Sequence, residues 1–118
     1  MSDRSCSPAQ IDAIATQLNA GNRDASNRLI NECTLNLPGT TQYFNDFRQN
    51  GEAILNGDPA ATQRSEGIFR ELANQERQLW SSIRDAANNR NPNGLCKMEI
   101  VEDAQAGPRI NLTGDKCN

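Results

Sequence analysis

Four cysteines, at positions 6, 33, 96 and 117 of a 118-residue chain with no histidine, constrain the fold more than any other feature. An even count at wide spacing in a chain this short is the pattern of a disulfide framework, which forms and persists in an oxidising compartment. A zinc site would cluster its thiolates in pairs such as C-x2-C, and without histidine only an all-thiolate set is open to it. Four singly spaced cysteines do not offer that set. The spacing therefore predicts two disulfides, no metal and no cofactor. Of the three pairings, one follows from the elements read below. Cys6 with Cys33 ties the start of the first helix to the end of the second, and Cys96 with Cys117 closes a C-terminal hairpin. Loop-closure entropy gives each bridge roughly 3.5 kcal/mol. That is a large contribution for so lean a chain, in which 36% of residues are hydrophobic and 4% aromatic.

The same composition excludes several functions. Without imidazole there is no histidine base, nucleophile activator or metal ligand. A formal charge of −3 provides no basic surface for nucleic acid. No apolar run reaches the roughly 18 residues of a membrane span. The opening Met-Ser-Asp-Arg-Ser-Cys carries no apolar leader, so a secreted or periplasmic form is expected to have lost its signal peptide, with Met1 an added start. A native Met1 would argue against the disulfides. Asn111-Leu112-Thr113 is a glycosylation sequon, meaningful only in a eukaryotic secretory route.

The chain reads as a single domain over 1–118, helical over about 7–90 with a β-hairpin over about 95–117. Ser7-Pro8 opens the first helix with a hydroxyl acceptor at the N-cap and proline at N1. Ile11, Ile14, Ala15 and Leu18 follow at helical spacing until Gly21 stops them. A second helix restarts at Asn22 to Asp24 and ends in Leu35-Asn36-Leu37-Pro38-Gly39. The short loop between the two predicts an antiparallel hairpin. Thr40 or Thr41 is expected to cap a third helix reaching about Asn56. Its apolar face would carry Tyr43, Phe44, Phe47, Gly51, Ile54 and Leu55, with Asn45, Asp46, Gln49 and Glu52 elsewhere. Asp58-Pro59 opens a fourth helix, the longest, to about Asn88. Ile68, Leu72, Leu79, Ile83 and Ala87 form its buried stripe, with Phe69 and Trp80 on one flank. After Gly94 the period changes to two, and Cys96, Met98, Ile100 and then Ile110, Leu112 alternate as a β-hairpin. Putting Met98 and Ile100 on the face of Ile110 and Leu112 sets Cys96 opposite an even-numbered residue. A bend at Gly114-Asp115 is needed to bring Cys117 to it. The predicted fold is mainly α: a small bundle of two helical hairpins followed by a β-hairpin, stapled by two disulfides.

Two constellations stand out as candidate sites. Arg77 and Arg84 lie three residues before and four after Trp80, where guanidinium groups can flank an indole. With Phe69 beside it, an exposed Trp80 would make an interface hot spot. The alternative is a Trp at the core edge covered by the aliphatic parts of the arginines. Glu76 falls inside the apolar arc of the fourth helix, where burial would raise its pKa and suit it to act as a general acid. A hydrolase of that kind also needs a second carboxylate, which no spacing here supplies. No catalytic residues are assigned on this basis. The expected function is that of an exported, disulfide-stapled binding module of the inhibitor, immunity-protein or secreted-effector kind. Its partner would be a protein or cell-surface ligand, met through the Trp80 region or a bare edge of the C-terminal hairpin. A secreted hydrolase centred on Glu76 and a homo-oligomeric assembly subunit are the alternatives.

Overall fold

In the computed structural model, residues 6–118 are described. The expectation about Met1, and residues 1–5 of the expected domain, lie outside them. Four helices, α1 (Pro8–Ala20), α2 (Arg23–Leu35), α3 (Pro38–Leu55) and α4 (Pro59–Arg90), precede strands β1 (Lys97–Asp103) and β2 (Gly107–Thr113).

The helix ends follow from local chemistry. The Ser7 hydroxyl accepts from the Gln10 amide at 3.2 Å while the Gln10 side chain accepts from the Ser7 amide at 2.7 Å, a reciprocal capping box. Gly21 ends α1 in the left-handed conformation, φ 84°, where a side chain would be strained and would also meet the Lys116 carbonyl. The Asp58 carboxylate caps α4 by accepting from the Ala61 amide at 3.0 Å. The 32 residues of α4 span roughly 48 Å at 1.5 Å each, and the molecule is 49 Å along its long axis. It is the spine against which α1, α3 and the hairpin pack.

Helix α3 departs from the expected boundary. It begins at Pro38, with Leu37 at the N-cap and no side-chain cap. Proline's fixed φ and missing amide make it a good first helical residue even without a capping hydroxyl. The threonines at 40 and 41 therefore sit inside the first turn.

The hairpin register is Met98 opposite Leu112 and Ile100 opposite Ile110, the even pairing that the alternation requires. Cys96 would then face Gly114, and the chain corrects this with a turn in which the Cys117 amide donates to the Gly114 carbonyl at 3.1 Å. A side chain at 114 would strike the Leu95 carbonyl oxygen, so glycine is required there. Both disulfides form as expected, Cys6–Cys33 and Cys96–Cys117.

One apolar cluster joins these parts: Ile14, Ala15 and Leu18 of α1, Ile30 and Cys33 of α2, Leu72, Leu79, Trp80, Ile83 and Ala87 of α4, and Met98 and Leu112 of the hairpin. The C-terminal segment is bolted to the α1–α2 turn by main-chain bonds. Leu95 and Cys96 amides donate to the Asn19 and Leu18 carbonyls at 3.2 and 2.9 Å, satisfying acceptors that the end of α1 leaves open, and the Asn118 amide donates to Gly21 O at 2.9 Å. Arg23 donates to the carbonyls of Leu112 and Cys117. Among the described residues no helix is long and apolar enough to cross a membrane.

Candidate binding surface

Helix α3 contributes no fully buried large apolar side chain; its buried residues are Gly39, Asp46 and Gly51. The cause lies in how it is fixed to α4. At Gly39 the two backbones come so close that an added Cβ would lie 2.9 Å from the Leu72 Cα, and the Gly39 amide donates to the Gln75 side chain at 2.7 Å. Two turns on, Asp46 pairs with Arg64 at 2.9 Å and accepts from the Asn50 amide group at 3.0 Å. Residues 39 and 46 share one helix face, so these two contacts set the rotation of α3 about its axis.

That rotation carries the apolar face of α3 roughly a quarter turn away from α4, at 100° per residue. The apolar face expected for this helix is therefore present but only partly covered. Phe44 is 58% exposed, Phe47 42% and Leu55 76%. The buried stripe of α4 packs in the cluster it shares with α1, α2 and the hairpin. The Phe47 ring lies over Gly51, 3.2 Å from where a Cβ would stand. A shallow trough of about 550 Å³ runs between Phe47 and Leu55, bordered by Arg48 and Glu52.

The aromatic surface continues around α3. Tyr43 stands between Phe44 (ring centroids 6.3 Å apart) and Phe69 of α4 (6.0 Å). Phe69 lines a groove of about 620 Å³ between α4 and the hairpin tip, with Ala73 and Gly107 beside it and Glu66, Arg70, Arg77 and Asp103 among its polar lining. Arg77 grips Glu102 through two bonds of 2.7 and 2.8 Å and also holds Asn74 at 2.9 Å. This pairing keeps the Glu102 carboxyl below the usual carboxylate range and Arg77 more firmly protonated. At the hairpin tip Asp103 accepts from the Ala106 and Gln105 amides, both at 2.8 Å, which lowers its pKa.

The expected hot spot is taken apart by this arrangement. Trp80 is 6% exposed and belongs to the core, in the cluster where α1, α2, α4 and the hairpin meet. It therefore cannot serve as an exposed anchor, and its indole N–H finds no hydrogen-bond acceptor among the described residues. Arg77 turns to Glu102, and Arg84 approaches its neighbour Asp85 at 3.6 Å. Of the four proposed interface residues, Phe69 and Arg77 share the groove, whereas Trp80 and Arg84 do not line it.

Glu76 is half-buried, and desolvation raises its pKa while the adjacent Arg77 lowers it. It does not line the grooves at Phe69, at Leu37 and Leu79, or at Phe47. Among the described residues no group of three His, Cys, Asp or Glu side chains is placed to hold a metal ion. The bare hairpin edge is in part engaged, since Arg23 holds the Leu112 carbonyl of β2.

No family model matches the chain, and no curated protein or solved structure matches it either.

Proposed function

We propose that this chain is a small disulfide-stapled binding module of an oxidising compartment, secreted or periplasmic, that acts by contact with another protein and not by catalysis. Exposure of Phe44, Phe47 and Leu55 along one arc of a single helix carries the reading. Water-exposed aromatics that line up on a rigid element mark an interaction surface, whereas single exposed apolar residues are ordinary. Tyr43 and Phe69 extend the arc into the neighbouring groove, where charged side chains supply a polar rim of the kind protein interfaces carry. Two disulfide bridges favour the oxidising compartment, and the same bridges hold a lean core rigid enough to present such a surface.

The test uses a photo-reactive side chain at Thr41, beside the arc, in the chain returned to its source fluid. Discrete cross-linked protein species are expected for the parent and should vanish in the Phe44→Ser/Phe47→Ser variant while its helical circular dichroism and both disulfides persist. Cross-linking that is absent, or identical in parent and variant, refutes the reading.

A further inference from the structure

Resting on that reading of the α3 arc, we infer that its partner is a second copy of this chain, packed antiparallel on α3 about a two-fold axis near Gln49. The arc carries aromatic rings, Phe44 and Phe47, toward its N-terminal end and the aliphatic Leu55 toward its C-terminal end, with a trough between Phe47 and Leu55. A copy running the other way sets the aromatic end of each arc against the aliphatic end of the other. In antiparallel helix packing, layers pair residues at a constant sum of positions, as a and d positions do in coiled coils. With the axis at the level of Gln49, Phe47 of each copy falls level with Gly51 of the other, beside the ring that covers that glycine, and Phe44 level with Ile54 and Leu55. Those pairings need no change in the backbone of α3, and the open trough between Phe47 and Leu55, beside the ring that already covers Gly51, is the hollow that receives the partner's ring.

Charge at the border of the arc has the same self-complementarity. Arg48 and Glu52 are one turn apart and of opposite sign, yet among the described residues they form no ion pair with each other or with anything else. Arg48 donates to Asn45 at 2.7 Å instead. In the antiparallel pair, Arg48 of each copy lies across the axis from Glu52 of the other, within the reach of two long side chains. A two-fold interface requires this reciprocity, in which i meets j and j meets i.

The area available sets the strength. Phe44, Phe47 and Leu55 leave roughly 300 Å² of apolar side chain open on each copy, taking about 200 Å² for each full side chain. With the flanking polar residues, the pair buries about 1,000–1,200 Å² in total, at the lower edge of specific interfaces. Association is accordingly reversible, with Kd on the order of 10–100 μM.

Sedimentation equilibrium of the full chain between about 1 μM and 1 mM tests this, a range that brackets the expected Kd. The mass should climb from 13.0 kDa to twice that value. Phe47→Glu should raise Kd at least about tenfold. Leu55→Glu, at the most exposed position of the arc, should do the same and serves if the first variant folds poorly. Arg48→Glu and Glu52→Arg should each weaken association several-fold, and the double reversal should restore it. A mass fixed at 13.0 kDa across the range overturns the inference, and reversal without restoration overturns the antiparallel arrangement. Binding of the apolar dye bis-ANS separates the two levels. A monomer whose arc binds dye, with dye lost in Phe47→Glu, retains the binding surface and loses only the second copy. A monomer without dye binding loses both.

Discussion

Replacing Trp80 tests whether it is core or contact, and the structure sets the magnitudes. The side chain is 6% exposed and packs in the cluster shared by α1, α4 and the hairpin. Trp80→Ala should therefore cost about 3–5 kcal/mol, the range for truncating a buried aromatic. Trp80→Phe is more informative, because two effects of similar size oppose each other. The smaller ring leaves a void of roughly 40 Å³, worth about 1 kcal/mol at 24 cal/mol per Å³. It also removes an indole N–H that has no acceptor, relieving a penalty of about 1–3 kcal/mol. The phenylalanine variant should lie within about 1.5 kcal/mol of the parent. Urea unfolding followed by circular dichroism at 222 nm reads both. With an m-value near 1.5 kcal/mol/M, the midpoint should fall by about 2–3 M for alanine and by less than about 1 M for phenylalanine. A phenylalanine variant as unstable as the alanine one would show that the indole N–H is bonded. An alanine variant of parental stability would return Trp80 to the surface.

Two further predictions concern stability. Cys96→Ala/Cys117→Ala should lower unfolding free energy by about 3 kcal/mol on loop-closure grounds, and so should Cys6→Ala/Cys33→Ala; a loss below about 1 kcal/mol for either pair in a urea titration would contradict the role of the staples. Glu76 binds its proton more tightly folded than unfolded, because burial disfavours the carboxylate. Its contribution to stability is therefore greatest below the ordinary value of 4.5 and declines as pH rises through the raised folded value. Glu76→Gln should be more stable than the parent at pH 7, with the gain shrinking toward pH 4. A gain that is independent of pH would show that desolvation of the charge is not its source.

Much of this architecture is legible in the sequence because it is written in local chemistry. Ser7-Pro8, Gly21, Asp58-Pro59 and the Asn-rich break before Gly94 mark helix ends through single residues acting on their own backbone. The pairing of Cys6 with Cys33 follows from a short loop between two helices. The even register of the hairpin, with a bend before Cys117, follows from its period of two. The start of α3 was not legible, since Leu37 offers no capping side chain and proline acts there alone. Nor was the fate of the α3 arc. Periodicity reports that one face is apolar but does not say whether a neighbour covers it, and here the rotation is decided by Gly39 against Leu72 and by Asp46 with Arg64, contacts far apart in the chain. For Trp80 the sequence left an exposed and a core-edge reading open, and the core-edge one holds. Its flank position on α4 is decided by elements distant in the chain, α1 and the hairpin, which join it in one cluster.

The measurement that bears most directly on the central claim is hydroxyl-radical footprinting of the dilute chain, read residue by residue by mass spectrometry. Tryptophan is intrinsically far more reactive than leucine and more reactive than phenylalanine, so exposure and reactivity pull in opposite directions here. Phe44, Phe47 and Leu55 should label rapidly while Trp80 is protected, and the Phe44, Phe47 and Leu55 labels should be lost as the chain is concentrated. Rapid labelling of Trp80 with Phe44 and Phe47 protected at dilution would contradict this, placing the α3 arc in the core and the binding surface elsewhere.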